Sequence, residues 1–174
     1  NAIIEKFKRE NNIIYSADQI SVGTGGKQII FNALLASVDP GDEVIIPAPY
    51  WVSYPDIVAF AGGKSVFVEC DENSNFKITA EQLSQNINEK TKWVILNSPS
   101  NPTGSCYSEA ELFEISKVIE SNSHVNVMTD DIYEHLVYDG FIFKTISEVN
   151  QNIKDQTLII NGVSKAYAMT GWRI

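Results

Sequence analysis

Near its carboxyl end the chain reads NGVSKAYAMTGWRI, which sets Lys165 beside Ser164 and brings in Arg173 shortly after. A lysine that gives up its proton attacks aldehydes and forms a Schiff base. Apolar surroundings and a neighbouring cation both favour the neutral amine, and Arg173 is the candidate cation. A solvated surface lysine fits the same residues, and Lys165 alone does not separate the two readings. Asp130 and Tyr133 stand together in VNVMTDDIYEHL. A carboxylate closing an apolar stretch is costly unless paired, so Asp130 predicts either a protein cation, a ligand cation or a helix N-cap role. The turn GTGGKQ holds Gly26 and Lys27 ahead of a helical pattern. Free backbone N–H groups at such a turn favour an anion such as phosphate. Gln28 stands where a P-loop needs Ser or Thr and where the dinucleotide fingerprint needs glycine. The turn is therefore a generic anion turn or a packing turn. Trp51, in APYWVSYP, stands where a helix is expected to begin. Its indole either stacks on a flat ligand ring or packs in the core. Asn101 lies in NSPSNPTG, whose two prolines give the loop a fixed shape. Such a loop holds functional groups well or simply ends a strand.

These residues need elements to position them. NAIIEKFKREN, with Ile3, Ile4 and Phe7, has helical spacing but no capping residue, so it reads as a helix entered midway. Strand-like and helix-like stretches then alternate: QISV as a short strand, GKQIIFNALLASV as a helix stopped by DPGD, EVIIP as a strand, WVSYPDIVAFAGG as a helix and SVFVEC as a strand. TAEQLSQNI follows as a helix capped by Thr79, KWVILN as a strand, SEAELFEISKVIES as a helix capped by Ser108, and VNVMTD and TLIIN as strands. Several of the strands are unbroken apolar runs, the mark of parallel strands covered on both faces. The alternation predicts an α/β fold: a three-layer αβα arrangement around a mostly parallel sheet. In such sheets ligands sit at the carboxyl ends of the strands, and the residues singled out above all follow strands.

Bulk properties narrow the function classes. The 174 residues are 44% hydrophobic and carry a net charge of -9, which predicts one globular domain. No basic cluster offers a face to a nucleic-acid backbone, so no nucleic-acid partner is expected. No apolar run approaches the about 18–20 residues of a membrane span, so no membrane partner is expected either. Cys70 and Cys106 make no metal-spaced pair and no disulfide framework. No metal site is predicted, and a reducing, cytoplasmic setting is the expectation.

Together, GGKQ, PYWVSYP, NSPSNPTG, DDIYEHLVYDG and SKAYAMTGWRI resemble the large domain of the class I, fold-type I, pyridoxal-phosphate-dependent aminotransferases, most of all the bacterial aspartate aminotransferase branch. The resemblance runs from about position 20 to the last residue. It implies pyridoxal 5'-phosphate as cofactor, with Lys165 as the lysine joined to it as a Schiff base and as the later proton carrier. Asp130 matches the carboxylate that pairs with the pyridine nitrogen, so that a protonated ring can draw electrons from the substrate. Tyr133 and Asn101 match the donors to the ring's phenolic oxygen, and Trp51 the aromatic residue stacked on the ring. Gly26, Lys27, Ser164 and Arg173 match the phosphate cradle. It further implies cis peptide bonds before Pro49 and Pro102. Lys27 matches a lysine that, in aspartate-specific relatives, helps receive the distal carboxylate.

Transamination between an amino acid, aspartate first, and a 2-oxo acid such as 2-oxoglutarate is thus expected, in a homodimer. Another fold-type I reaction, lyase or synthase, would keep the same lysine, aspartate and arginine. A transcription regulator that borrowed the fold is a further alternative. The family's chain is more than twice as long and its sheet is larger. Residues 1–174 therefore resemble a single cofactor-binding large domain cut at both ends, without the N-terminal arm or the small domain that binds the substrate α-carboxylate. On its own such a piece is expected to be weakly active or inactive.

Overall fold

A computed structural model describes residues 1–174. Helix α1 (Ala2–Asn11) opens the chain with no side-chain hydrogen bond at its N-cap, as its sequence suggests. Helix α2 (Gly26–Ser37), strand β1 (Glu43–Ala48), helix α3 (Ser53–Phe60) and strand β2 (Lys64–Glu69) follow. Next come α4 (Ala80–Asn86), β3 (Thr91–Asn97), α5 (Glu109–Glu120), β4 (Asn126–Asp130), the short α6 (Ile146–Val149) and β5 (Thr157–Ile160). Local chemistry sets the entries to α4 and α5. The Thr79 hydroxyl accepts from the backbone N–H of Gln82 while the Gln82 side chain returns to the Thr79 N–H, and Ser108 and Glu111 repeat this exchange. Each box satisfies two backbone donors that a helix start leaves orphaned.

The sheet runs β2-β1-β3-β4-β5, every neighbouring pair parallel. Side chains alternate across a strand, and both faces here are apolar. Val44, Ile46, Ile95 and Met128 pack with Ile30, Leu34, Tyr54 and Val58 of α2 and α3. Ile45, Val94, Leu96 and Val127 pack with Leu83, Ile115, Ile119 and Ile146 of α4, α5 and α6. The result is the expected three-layer αβα fold, with its core split by the sheet.

The structure corrects four local expectations. QISV forms no strand: Ile20 is extended, but Val22 is 61% exposed and no neighbouring strand supplies a ladder. Branched side chains favour a strand only where a partner accepts its hydrogen bonds. Trp51 precedes α3 rather than beginning it. Asp130 is not a helix N-cap, because the residues after it form turns. The four-residue α6 was not foreseen, being too short to display a helical period. The peptide bonds before Pro49 and Pro102 are cis, as expected, and so is the one before Pro99.

Candidate active site

All strands point the same way, so their carboxyl ends bring separate stretches of chain to one edge of the sheet. A cleft of about 230 Å³ opens there, lined by Gly26, Lys27, Trp51, Asn101, Asp130, Tyr133, Ser164, Lys165 and Arg173. Every residue singled out from the sequence thus borders one space. Tyr54, Asn97 and Thr170 line it as well.

Asp130 ends β4 and is 6% exposed. It lies on the α2–α3 side of the sheet, as Met128 does two residues earlier. The Tyr54 hydroxyl donates to Asp130 Oδ2 at 2.7 Å. Burial pushes the Asp130 carboxyl up to about 6, against the opposing pull of Tyr54 and of the Ile132 backbone N–H. No lysine, arginine or histidine is ion-paired to it. Of the partners its position allowed, no protein cation of residues 1–174 is present. What remains is a buried carboxylate at the cleft with only neutral hydrogen-bond partners.

Two residues that sequence reasoning passed over hold this arrangement. Asn97 Nδ2 donates to the Asp130 backbone carbonyl at 2.7 Å, and Asn97 Oδ1 accepts from the Asn101 backbone N–H at 2.7 Å. Asn97 therefore ties the end of β3 to the end of β4 and fixes Asn101. A usable signal was present, since Asn97 closes the apolar run KWVILN as Asp130 closes VNVMTD. Tyr54 carried no such signal. A tyrosine in a helical pattern reads as packing until the carboxylate beneath it is seen.

The other end of the cleft is built from two loops. Gly25 has φ +84°, in the left-handed region open to glycine. A Cβ built there would stand 2.3 Å from Arg173 Nη2, so only a bare backbone lets the guanidinium close on the turn. Arg173 donates to Thr24 O at 3.4 Å and to Thr170 O at 2.9 Å. Its charge and the N-terminus of the 12-residue α2 thus face the same space. Lys165 and Arg173 share a loop whose ends meet, the Val163 N–H donating to Ile174 O at 3.1 Å. Ser164 is buried inside it. Lys165 lies on a turn after β5 and is exposed. Residues 163–174 run along the surface, and no apolar layer covers the amine. On the cleft wall the Lys27 ammonium stands 4.8 Å from the centre of the Trp51 ring, and Tyr54 meets that ring edge-on at 5.3 Å.

Residues 1–174 match the family described as "Aminotransferase class I and II". The chain belongs to that family. It is 60% identical over 173 residues to a probable aspartate/prephenate aminotransferase of Rickettsia conorii, covering 99% of this chain and 43% of that protein. With the aspartate aminotransferase of Rhizobium meliloti strain 1021 the identity is 56%, over 99% of this chain and 42% of the relative. A crystal structure of aspartate aminotransferase from Rhizobium meliloti superimposes with a TM-score of 0.97 at 56% identity, over 99% of this chain and 43% of the other. The aromatic aminotransferase of Pyrococcus horikoshii OT3 gives 0.93 at 37%, over 99% of this chain and 46% of that one. The chain thus spans under half the length of these relatives. The fold expected from the sequence is the fold of these aminotransferases. No helix is long and apolar enough to cross a membrane.

Proposed function

We propose that this protein carries the cofactor site of a pyridoxal-phosphate-dependent transaminase, which moves an amino group from an amino acid, aspartate first, to a 2-oxo acid such as 2-oxoglutarate. Residues 1–174 are then one cofactor-binding domain. The observation that carries the reading is Asp130: a buried carboxylate with only neutral partners, at the floor of a cleft that Lys165 also lines.

The residues present fit the cofactor at both ends. Asp130 would hold a proton on a ring nitrogen, and the positive charge so created would bring the carboxyl back down from its raised value. Gly25 leaves a cradle that any Cβ would fill, and there Arg173, Ser164 and the N–H groups of the turn would hold a phosphate. Trp51 would flank the ring, with Tyr133 and Asn101 as donors to its phenolic oxygen. When bound, pyridoxal phosphate supplies an electron sink for the bonds at a substrate α-carbon. Lys165 Nζ is the one amine on the cleft rim besides Lys27. With the cofactor bound, Lys165 would be the residue that holds it and that would take the α-proton and return it. Lys27 has no ion-pair partner in the chain, which suits it to a second carboxylate on the substrate. A homodimer is part of the proposal, on the family resemblance.

Titrating the full-length protein with pyridoxal phosphate tests this. A cofactor band that stays with the protein after borohydride reduction and denaturation is expected in the wild type and not in Lys165→Ala. Borohydride reduction should add the cofactor's mass to the peptide holding Lys165. Aspartate and 2-oxoglutarate should then yield glutamate and oxaloacetate in equal amounts. A wild type without the band overturns the cofactor assignment, and pyruvate with ammonia in place of glutamate makes the enzyme a lyase.

A further inference from the structure

The segments carrying Tyr133 and Lys165 share a neighbour outside the cleft. Glu134 follows Tyr133 directly and is only 5% exposed. Each of its oxygens has a partner on α1: Oε1 is ion-paired with Lys6, and Oε2 accepts from Asn11 Nδ2 at 3.2 Å. Lys6 also donates to Asn11 Oδ1 at 2.9 Å and reaches Glu10 Oε2 at 3.7 Å. Next in the chain, His135 Nε2 lies 3.3 Å from Glu134 Oε1 and 3.4 Å from Glu10 Oε2. The His135 ring meets the Tyr167 ring edge-on, 5.9 Å between centres. Tyr167 belongs to the same surface turn as Lys165, held by its N–H to Val163 O at 3.2 Å. One polar cluster therefore joins α1 to both stretches that bring reactive groups to the cleft.

Glu10, Glu134 and His135 also present three ligand atoms within 4.8 Å of one another, a spacing that suits a metal ion. The Lys6 ammonium, however, is paired to both carboxylates, so a dication would have to expel it. The cluster is a charge-balanced joint. A buried ion pair is a weak source of net stability, since apolar residues often do as well. What it adds is orientation, because a carboxylate ion-paired on one oxygen and hydrogen-bonded on the other is held at one angle. That matters here because residues 131–136 lack regular structure. Their own backbone supplies only turn bonds, Glu134 N–H to Asp131 O at 2.9 Å and Leu136 N–H to Tyr133 O at 2.7 Å.

We propose that Glu134 and His135 are positioning residues: anchored on α1, they hold the Tyr133 segment and the Lys165 turn at the cleft, so that α1 sets the geometry of a reaction it does not touch. The catalytic half of this proposal rests on the cofactor reading above; the mechanical half does not.

The test uses the full-length protein with Glu134→Gln, Lys6→Met, Lys6→Arg and His135→Phe. Amide hydrogen exchange in residues 131–136 and 164–168 is expected to quicken about tenfold in Glu134→Gln and Lys6→Met, with β3 unchanged. Lys6→Arg should restore protection. His135→Phe keeps a ring against Tyr167 but loses both carboxylates, so it should quicken residues 131–136 alone. With pyridoxal phosphate bound, Glu134→Gln and Lys6→Met should shift the pH midpoint of the cofactor band. They should also lower kcat about tenfold, with KM within about twofold, as expected for small misplacement of reactive groups. Unchanged exchange in both segments overturns the proposal. So does a lower melting temperature with kcat and the band midpoint unmoved, which would make the cluster structural cement. If the wild type binds no cofactor, the functional reading fails, while the exchange data still decide whether α1 holds these segments. If Glu134→Gln does not fold, Lys6→Met and His135→Phe carry the same decision.

Discussion

Asp130 and Asp131 are neighbours in the chain, both buried, and they lie on opposite faces of the sheet. Asp130 faces the α2–α3 side and the cleft, with Tyr54 and the Ile132 N–H as donors. Asp131 continues the ladder, its N–H donating to Ile160 O at 2.9 Å, and follows the parity of Val127 into the α5–α6 side. There it accepts from the Thr129 hydroxyl at 2.6 Å, and the nearby Thr145 hydroxyl also pulls its carboxyl down. Burial is the main cause that pushes the carboxyls up, Asp130 to about 6 and Asp131 to about 7. The same side chain under the same desolvation thus has two prospects. On the cleft face a ligand cation can reach it and make its charge useful. On the closed face nothing can, and it remains a liability that grows with pH.

Substitutions can break that contrast. The largest expected effect is on the cleft face. On the proposed function, Asp130→Asn in the full-length protein should lower kcat about 10³-fold, the scale of losing one preorganised electrostatic partner, whereas Asp131→Asn should stay within about threefold. Steady-state kinetics with aspartate check both, and equal losses would erase the distinction. Asp131→Asn should instead act on stability. A carboxyl whose folded value is raised from 3.8 to about 7 contributes stability that is complete below about pH 4 and is lost as the pH climbs through 7. The variant should therefore overtake the wild type between those values. Its advantage at pH 8 should be on the order of 2 kcal/mol, after discounting for the amide group left without a partner. Urea unfolding at pH 4 and pH 8 reads the difference, and an advantage at pH 4 instead would reverse the sign.

Smaller changes sharpen the comparison. Gly25→Ala should push Arg173 off the turn and weaken pyridoxal phosphate binding about tenfold, close to 1.4 kcal/mol, with a loss of about 1 kcal/mol in stability from the left-handed φ. Equilibrium dialysis measures the first and thermal unfolding the second. Ser108→Ala, on the closed face, should remove about 1 kcal/mol through the lost helix cap and leave cofactor affinity unchanged. If it moved affinity as well, the two faces would not be separable into chemistry and stability.

Local patterns carried far in this chain. The caps at Thr79 and Ser108, the apolar runs of β1, β3 and β4, and the glycine turn before α2 are readable because each depends on residues a few positions away. Their order implied parallel strands, and parallel strands implied that residues following them would meet. The tertiary structure alone decided what depends on distant neighbours. QISV has strand-forming residues but no ladder partner. Lys165 has the right company but an uncovered amine. Tyr54 and Asn97 matter through Asp130, which only folding brings to them. Backbone hydrogen-bond partners and burial are properties of what packs alongside a residue, and sequence spacing specifies them only where the neighbour is close in the chain.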